Sequence, residues 1–338
     1  MSSLIVEVCR IERVLPHPNA DLLELAHIKG WQCVVPKGKY AAGNLVTYIP
    51  IDAVIPAELS ERLGITKYLS NGRVRCARLR GEPSFGVIMD VEDPAWSEGA
   101  DVREHYGITK YLPPLRPSAG DAAEPHPLFV SYTDVENLRN FPSVFAEGED
   151  VVVTEKLHGT NCRVGLVEGE LMAGSMEVRR KRPEPGAEGS NLYWFPTTLP
   201  GVTGLLEELA RSHAQVILFG EVFGSKVQNL NYGRKGEFGF AAFDVLADGR
   251  YLDAPQFLEL CDRHAVPTVP VLHRGPYSLE WVKVMAEGLT TLGGGHVREG
   301  VVVRPLVERV DPKVGRAVLK YIGDGYLFAK GVSDTNDV

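Results

Sequence analysis

The sequence lacks the features of a membrane protein and of a disulfide-rich secreted protein. No segment approaches the run of about 18 apolar residues that a membrane-spanning helix needs. The first residues, MSSLIVEVCRIERV, carry Glu7 and Glu12 among apolar residues, unlike the core of a secretory signal. The 5 cysteines are odd in number and form no CxxC pair, so neither a disulfide framework nor a zinc knuckle is expected. We therefore expect a protein without membrane contact in the reducing cytoplasm.

A surplus of basic charge is also missing. The 36 Lys and Arg residues are outnumbered by 44 Asp and Glu residues, and the formal net charge is −8. Residues 1–120 hold 14 basic and 14 acidic side chains, whereas residues 121–338 hold 22 and 30. The whole chain does not attract polyanions, so a nucleic-acid partner must be bound by local basic patches.

The length and the proline distribution predict two domains. A chain of 338 residues corresponds to about two domains of roughly 150 residues each. The segment PPLRPSAGDAAEPHP is rich in proline and small residues, which is typical of a linker. We predict one domain over residues 1–115, a linker over 116–127 and a second domain over 128–338.

The first domain is predicted to be a small β-barrel of the OB type. Five short strand-like runs, separated by Gly and Pro turns, lie within about 90 residues. The runs are LIVEVCRIERV, WQCVVPKG, NLVTYIPI, RVRCARL and SFGVIMDV. Residues 17–21 are expected to form a turn followed by a short helix. The hexapeptide GITKYL occurs at 64–69 and 107–112, and we expect a reused surface turn.

The second domain mixes helical and strand-like segments. Thr133 and Glu136 have capping-box spacing and predict a helix near 134–145, and apolar spacing predicts helices at 204–213 and 254–264. Strand-like runs do not alternate strictly with these helices, so an α+β domain with mostly antiparallel sheets is expected. The runs are DVVVTE, CRVGLV, VILFGEV, EFGFAAFDV, GVVVRP and RAVLKY.

Charged residues adjoin several of these apolar strands. Lys156 lies where a strand ends in front of Gly159. The simplest interpretation of this pattern is a hairpin in which the lysine is exposed to solvent. Charges beside buried strands are costly unless they are paired or face a polar cleft. Ion pairs at the sheet margins remain an alternative, but the segments together favour one shared cleft. The other charged residues of this kind are Glu221, Asp244, Glu299 and Lys320.

In this order, the segments resemble the motifs of ATP-dependent RNA ligases in the covalent nucleotidyltransferase superfamily. KLHGTN at 156–161 is similar to the nucleophile motif KxHGxN, and GEVFG, FAAFDV, EGVVVRP and AVLKYIG resemble motifs III, IIIa, IV and V. The resemblance covers residues 128–330 and implies a nucleotidyltransferase (adenylation) domain. The overall plan is similar to bacterial-type nick-sealing RNA ligases with an N-terminal OB-like domain.

The resemblance implies that RNA 3′-OH and 5′-phosphate ends are joined, at nicks in a duplex, through lysyl-AMP and RNA-adenylate intermediates. The implied cofactors are ATP and either Mg²⁺ or Mn²⁺, with Glu299 as the metal-organising residue. Glu221 would hold the ribose, Phe243 would stack on adenine and Lys320 would contact the α-phosphate. The implied catalytic residues are Lys156, His158, Asn161, Glu299 and Lys320. The implied ATP-binding residues are Glu155, Lys156, Gly159, Glu221, Phe243 and Lys320.

Two positions depart from the family pattern. Ile322 replaces a second lysine that many relatives have in motif V, so Arg316 or Lys330 is expected to assist Lys320. Met176 follows Ser175 where an arginine is expected. The 5′-phosphate contact is then expected from the following basic run, whose alternative is an ordinary solvated surface. The run includes Arg179, Arg180 and Lys181.

The segment GRVRCARLRG of the first domain is the other RNA-binding candidate. Arg73 and Arg75 share one strand face by the two-residue period, as do Arg78 and Arg80. A bulge at 76–77 would bring both pairs to one side and form a four-arginine stripe. The alternative is a charged edge strand that prevents aggregation.

Two other functions stay open. DNA ligases and capping enzymes usually have Asp at the position of His158, Arg near Asn161 and a C-terminal OB domain, whereas few residues follow Lys320 here. The segment IERVLPHPNADLLELAHIKGWQCVV resembles tRNA-binding OB modules, which would suit an RNA-binding factor with a degenerate catalytic domain. We expect RNA ends as the partner, and a monomer.

Overall fold

Two units divide the chain, Met1–Pro114 and Leu115–Val338. The computed structural model describes residues 4–112, 120–225 and 227–327. Each unit has its own sheets and its own hydrophobic core.

The predicted linker, residues 116–127, begins outside the described residues and continues along the second unit. The backbone N–H of Ala123 donates to the carbonyl of Arg179 at 2.9 Å, and that of Lys181 donates to Asp121 at 2.7 Å. This later part of the segment therefore runs beside a strand of the second unit. The domain limits stay predictions.

The described residues of the first unit form short antiparallel strands and one short helix. The helix is α1 (Ala57–Arg62), followed by a 3₁₀ turn at Thr66–Tyr68. The strands are β1 (Glu7–Arg10), β2 (Arg13–Pro16), β3 (Leu23–Ile28), β4 (Trp31–Pro36), β5 (Leu45–Ile49), β6 (Ala53–Val54), β7 (Ala77–Leu79), β8 (Glu82–Ser84), β9 (Val87–Asp90) and β10 (Thr109–Lys110).

These strands pair as β1-β5-β9, β2-β3-β4, β7-β8 and β6-β10, all antiparallel. Side chains on a strand alternate between faces, and β4 accordingly buries Trp31, Cys33 and Val35 while its alternate residues are partly exposed. Val8 and Ile49 pack with helix α1 in one core cluster. This small, all-antiparallel unit agrees with the predicted barrel-like architecture.

The short helix predicted after the turn at 17–21 is wrong, because the chain forms strand β3 there. The apolar residues of LLELAHI fit either period. Strand β3 lies between β2 and β4 and pairs with both, which satisfies its backbone groups on both sides. Leu25, Ala26 and Ile28 are buried by this pairing.

The second unit contains the remaining elements. Its described helices are α2 (Pro200–Ala210), α3 (Ala254–Arg263), α4 (Leu279–Ala286) and α5 (Asp324–Leu327), with 3₁₀ turns at Glu188–Ser190 and Phe195–Thr198. Its strands are β11 (Glu136–Asn137), β12 (Asp150–Lys156), β13 (Thr160–Val167), β14 (Glu170–Ser175), β15 (Arg179–Arg180), β16 (Gln215–Gly224), β17 (Phe238–Ala247), β18 (Arg250–Tyr251), β19 (Val271–Pro276), β20 (Gly300–Pro305), β21 (Val310–Asp311), β22 (Gly315–Arg316) and β23 (Leu319–Ile322).

Two larger sheets, each with helices on one face, build this unit. The order β15-β14-β13-β16-β17-β18 is wholly antiparallel, and helices α2 and α3 cover one face of it. The order β11-β23-β20-β12-β19 is antiparallel except for β11, and helix α4 covers one face. The predicted α+β class with mostly antiparallel sheets is confirmed.

The helices predicted near 204–213 and 254–264 form as α2 and α3. Pro200 begins α2, where its missing N–H costs no hydrogen bond, and Asp253 and Gln256 form a capping box at the start of α3. Within the described parts of the chain, no helix has both the length and the apolar character that a membrane span requires.

The helix predicted near 134–145 is wrong. Glu136 and Asn137 form strand β11, which pairs in parallel with β23. The N–H of Leu138 donates to the carbonyl of Lys320 at 2.8 Å, and the Leu138 side chain is fully buried. Pairing with a distant strand therefore overrides the local capping-box signal, because it satisfies the same backbone groups and buries an apolar side chain.

The two GITKYL copies take different conformations. The first contains the 3₁₀ turn Thr66–Tyr68, and the second contains strand β10. Both begin with a glycine of positive φ, 67° at Gly64 and 62° at Gly107. The isoleucine that follows each glycine packs on the same core cluster. The copies therefore share a left-handed start and a core contact, but not a common turn.

Candidate active site

Strand β12 places Lys156 on the face of the five-stranded sheet that is opposite helix α4. Val151 and Val153 of this strand pack towards α4, so the alternating pleat directs Thr154 and Lys156 to the other face. Lys156 pairs with Gly300 of β20, and the preceding Glu299 therefore lies beside it. The Lys156 Nζ donates to Glu299 Oε1 at 2.9 Å, and these side chains are 11% and 3% exposed. The predicted nucleophile and the predicted metal residue are thus in direct contact.

Lys320 lies on the same face of this sheet. It is opposite Val302 of β20, which is opposite Thr154 of β12, and residues opposite each other on paired strands share a face. Two strand spacings and a two-residue offset put the backbones of Lys320 and Lys156 roughly 12 Å apart. Lys320 is 7% exposed. Both predicted lysines therefore lie on one face of the sheet, although they come from separate strands.

The six-stranded sheet contributes the face opposite helices α2 and α3. Val222 and Phe240 pack towards α2 and α3, whereas Glu221 lies on the opposite face with its cross-strand partner Asn161. The Asn161 Oδ1 atom is buried and accepts no hydrogen bond from any residue that the structure describes. A buried polar atom of this kind favours a ligand or water contact.

The loop after Lys156 is held against this second sheet. The N–H of Gly159 donates to Glu221 Oε1 at 2.9 Å. A Cβ built on Gly159 would overlap the carbonyl oxygen of Val222, so a glycine is needed for this close approach. Glu221, predicted to hold the ribose, therefore also fixes the loop that carries the nucleophile.

Two tyrosines hold His158. Its backbone N–H donates to the hydroxyl of Tyr232 at 2.6 Å, and the hydroxyl of Tyr326 lies 2.8 Å from its Nδ1. The same Nδ1 is 3.7 Å from Glu299 Oε2. Burial, and next the charge of Glu299, raise the pKa of Tyr232, so its hydroxyl stays protonated at neutral pH. His158 is thus tied to the same carboxylate as Lys156.

Phe243 lies at a β-bulge in strand β17. Phe219 of β16 is opposite Asp244 and Gly220 is opposite Ala242, so Phe243 is the extra residue between them. Bulges redirect side chains and are common beside active sites. The Phe243 ring is half-buried, 4.9 Å from the Tyr132 ring in an edge-on arrangement. Phe243 lies on the sheet face opposite α2 and α3, which is compatible with the predicted stacking on adenine.

Glu155 is one of the predicted ATP-binding residues, and its side chain is held by other residues of the second unit. The pleat places it on the face opposite to Lys156, where it is 1% exposed. Its carboxylate accepts the hydroxyls of Thr290 and Thr291 at 2.5 and 2.7 Å and the N–H of Thr291 at 2.9 Å. Arg298 lies 3.5 Å away. The side chain therefore anchors the strand end that carries Lys156.

Arg316 is ion-paired with buried carboxylates and does not supplement Lys320 as predicted. Its Nη2 lies 2.6 Å from both Asp244 Oδ2 and Glu308 Oε1. Asp244 also accepts the hydroxyl of Tyr132 at 2.8 Å and pairs with Arg304 at 3.2 Å. These residues form a buried ion cluster that joins the two sheets. The other predicted assistant, Lys330, lies outside the described residues.

The basic run after Ser175 contains two arginines that are already ion-paired. Arg179 pairs with Glu170, and Arg180 pairs with Asp121 at 2.7 Å. Lys181 is exposed, with Nζ 3.4 Å from the carbonyl of Gly120. Of the three predicted contacts to the 5′-phosphate, Lys181 is therefore the most available to solvent.

The four-arginine stripe predicted over residues 73–80 does not form. Of this described segment only Ala77–Leu79 is a strand. Arg80 and Gly81 make the β7–β8 turn with φ of 53° and 96°, and no bulge is present at 76–77. Arg80 therefore leaves the strand, because the left-handed turn at its end reverses the chain.

Arg73 is separated from the other arginines by its own contacts. Its Nη2 lies 2.6 Å from Asp52 Oδ1, and its guanidinium carbon is 3.8 Å from the centroid of the Tyr111 ring. The pair is mostly buried, which fits a structural role. The exposed arginines of the segment are Arg75, Arg78 and Arg80.

The donor set suits a metal that keeps most of its water. No group of three or more His, Cys, Asp or Glu side chains within the described ranges could encircle an ion. Glu299 offers one carboxylate at the cleft. Mg²⁺ is commonly bound by one or two carboxylates plus substrate phosphates and water, and such an arrangement fits these residues.

Sequence patterns missed Tyr232, Tyr326 and the Thr290–Thr291 contact to Glu155. Their partners lie 74, 168 and 135 residues away, and none has a recognisable spacing. A signal exists only for Tyr232, where NLNYG places an aromatic residue in a turn directly before glycine.

Comparisons with known proteins agree with this geometry. A family model described as RNA ligase matches residues 149–322, and an OB-fold domain model matches residues 5–91, which confirms the OB prediction. Three forms of an RNA ligase from Naegleria gruberi are structurally similar: a mutant with ATP and Mn, a form with PPi, and a second mutant with AMP and Mn. They are 26%, 26% and 25% identical, and each match covers 96% of this chain and 98% of that chain at a TM-score of 0.77. A search of curated proteins finds no match.

Because the ligase model spans more than half of the sequence, from β12 to β23, the chain belongs to the RNA ligase family.

Proposed function

We propose that the chain is an ATP-dependent RNA ligase that joins RNA 3′-OH and 5′-phosphate ends at nicks in duplexes, with Mg²⁺ or Mn²⁺. The observation that carries the proposal is the contact between Lys156 Nζ and Glu299 Oε1, 2.9 Å apart and almost fully buried. The presence of ATP, AMP, PPi and Mn in the similar Naegleria gruberi structures supports the choice of nucleotide and metal.

The first step is attack of Lys156 Nζ on the α-phosphorus of ATP. A nitrogen–phosphorus bond forms, the bond to the β-phosphate oxygen breaks, and pyrophosphate leaves. The attacking amine must first lose a proton, yet its contact with Glu299 favours the ammonium form. A divalent cation held by Glu299 would weaken that preference, and the proton of the ammonium group would then pass to solvent.

Other residues of the cleft hold the nucleotide. Phe243 stacks on adenine, Glu221 binds the ribose hydroxyls, and Lys320 neutralises the α-phosphate, consistent with their shared cleft. Glu299 would hold the divalent cation, which supplies positive charge to the phosphates during the transfer. Asn161, with its unpartnered buried oxygen, is available to the ligand from the same face as Glu221.

Two further transfers complete the joining reaction. The RNA 5′-phosphate attacks the lysyl-linked AMP, which breaks the nitrogen–phosphorus bond and gives an RNA-adenylate. The RNA 3′-OH then attacks the 5′-phosphorus, a phosphodiester bond forms, and AMP leaves. We assign the 5′-phosphate contact to Lys181, because Arg179 and Arg180 are ion-paired.

The first unit is proposed to bind the RNA duplex. Its exposed arginines, rather than the predicted stripe, supply the charge for phosphate contacts. These residues are Arg75, Arg78 and Arg80.

The decisive experiment is incubation with α-labelled ATP and Mg²⁺ or Mn²⁺, followed by a denaturing gel. We expect label on the wild-type protein and on Lys283→Ala, a control that removes a surface lysine paired with Glu280. Lys156→Ala should take up no label, because no other group forms the phosphoramidate. Labelled Lys156→Ala would overturn the nucleophile assignment.

The substrate proposal has its own test. Adenylylated enzyme is given a nicked RNA duplex, the same strands without their complement, and a nicked DNA duplex. We expect sealing to be fastest on the RNA nick. Equal or faster sealing of unpaired RNA ends or of DNA would contradict the nicked-RNA assignment while leaving lysyl-AMP formation intact.

A further inference from the structure

His158 is held by two residues that lie outside the ligase motifs. Tyr232 accepts its backbone N–H at 2.6 Å, and the Tyr326 hydroxyl lies 2.8 Å from its ring Nδ1. We propose that Tyr326, together with Tyr232, is a positioning residue for lysyl-AMP formation: this tyrosine clamp orients His158 and, through it, the Glu299–Lys156 pair. The inference rests on the proposed function and adds to it a residue that no motif contains.

Tyr326 is placed by a short helix that is anchored on several sides. The carboxylate of Glu287 accepts the N–H groups of Asp324 and Gly325 at 2.6 and 3.1 Å. Arg139 pairs with Asp324 at 2.5 Å. The Tyr326 side chain is 1% exposed, so its hydroxyl has little freedom to turn away from its partners.

The same helix is linked to Glu299 through the backbone. The N–H of Gly323 donates to the carbonyl of Glu299 at 3.0 Å. A Cβ built on Gly323 would come within 2.6 Å of the carbonyl oxygen of Ala286, so this passage needs a glycine. The positions of Tyr326 and Glu299 relative to each other are therefore fixed by backbone contacts that do not involve His158.

Tyr232 approaches His158 from a strained turn. Its φ is 52°, a left-handed conformation that bulky side chains rarely adopt. Its ring packs 5.1 Å from Phe223 and 4.5 Å from His296, and the residue is 4% exposed. Strain of this kind persists only where surrounding packing imposes it, and it concentrates at functional sites.

The clamp controls both the backbone and the ring of His158. The hydrogen bond between the Tyr326 hydroxyl and Nδ1 fixes the rotation of the imidazole ring. The ring edge then stays 3.7 Å from Glu299 Oε2, while Glu299 Oε1 contacts Lys156. Loss of the Tyr326 hydroxyl should let the ring turn and shift the carboxylate that Lys156 contacts.

The test compares single-turnover rates of lysyl-AMP formation for full-length variants. Tyr326→Phe removes the hydroxyl and keeps the ring. Tyr277→Phe is the matched control, because Tyr277 is 3% exposed and its hydroxyl has no hydrogen-bond partner among the described residues. We expect Tyr326→Phe to be about two- to tenfold slower at saturating ATP, the worth of one hydrogen bond, with an unchanged KM for ATP. Tyr277→Phe should match the wild type.

A double-mutant cycle separates positioning from simple packing. If Tyr326 acts through His158, then Tyr326→Phe should have no further effect in a His158→Ala background. An unchanged rate in Tyr326→Phe, or an equal loss in both backgrounds, would overturn the proposal. Failure of the proposed function gives a different result, namely a wild-type protein that takes up no label from α-labelled ATP.

Discussion

The buried ion cluster around Asp244 leads to a quantitative stability prediction. Asp244 is 0% exposed and receives Arg304, Arg316 and the Tyr132 hydroxyl at 3.2, 2.6 and 2.8 Å. Asp244→Asn keeps the shape of the side chain, removes its charge and turns one acceptor into a donor that faces a guanidinium. Two arginines then lose a buried counter-charge at once.

The expected cost is about 3–5 kcal/mol of unfolding free energy, as measured when one partner of a buried ion pair is removed. For a unit of this size, 1 kcal/mol corresponds to about 2–4 °C, so Tm should fall by roughly 6–20 °C. Glu280→Gln is the control. It breaks an exposed pair with Lys283, whose side chains are 82% and 40% exposed, and should cost at most about 0.5 kcal/mol.

Urea titration followed by circular dichroism measures both variants against the wild type, and the slope shows whether the transition keeps its cooperativity. ATP labelling in dilute urea then reports on the cleft. Since Asp244 directly follows Phe243 and joins strand β17 to β20, labelling should be lost at lower urea in Asp244→Asn. If the urea midpoint of Asp244→Asn equals that of Glu280→Gln within error, the buried arginines do not need the charge of Asp244 for stability.

Three further predictions concern the cleft and the first unit. Gly159→Ala should abolish ATP labelling, because the added Cβ overlaps the Val222 carbonyl. Gly189→Ala is the control and should label normally, because its added Cβ meets open space. Normal labelling of Gly159→Ala would refute the close-approach argument. Phe243→Ala should weaken ATP binding by about 1–3 kcal/mol, or roughly 5- to 150-fold, in an equilibrium titration, and unchanged affinity would remove its stacking role. Arg75→Glu should weaken nicked-duplex binding and lower the salt dependence by nearly one unit of slope, while Lys37→Glu, an exposed lysine of the same unit, serves as the control. Equal slopes in both variants would leave Arg75 as an ordinary surface residue.

The sequence could predict the cleft because its charges adjoin apolar strands. Lys156 and Glu299 flank apolar runs and Lys320 interrupts one, and the structure brings Lys156 against Glu299 with Lys320 on the same sheet face. The α+β class followed from the same runs. Local patterns sufficed here because Lys156 and Lys320 lie on strands and Glu299 directly precedes one.

Features that depend on distant partners could not be predicted. The capping-box spacing at Thr133 is a real helix signal, but the pairing of β11 with β23 satisfies the backbone of this segment instead. The arginine stripe failed because Asp52 and Tyr111 hold Arg73. Such contacts join residues that are tens of positions apart, and no local period encodes them.

Phe243, whose ring is proposed to stack on adenine, is one extra residue in an otherwise regular strand. Residues on either side keep their pairing, Phe219 with Asp244 and Gly220 with Ala242, so deletion of one residue would restore an uninterrupted ladder. The alternation of faces would survive such a deletion, because Ala242 and Val245 already share the helix-covered core across the bulge. Gain or loss of a single codon could therefore add or remove the stacking ring without altering the rest of the sheet.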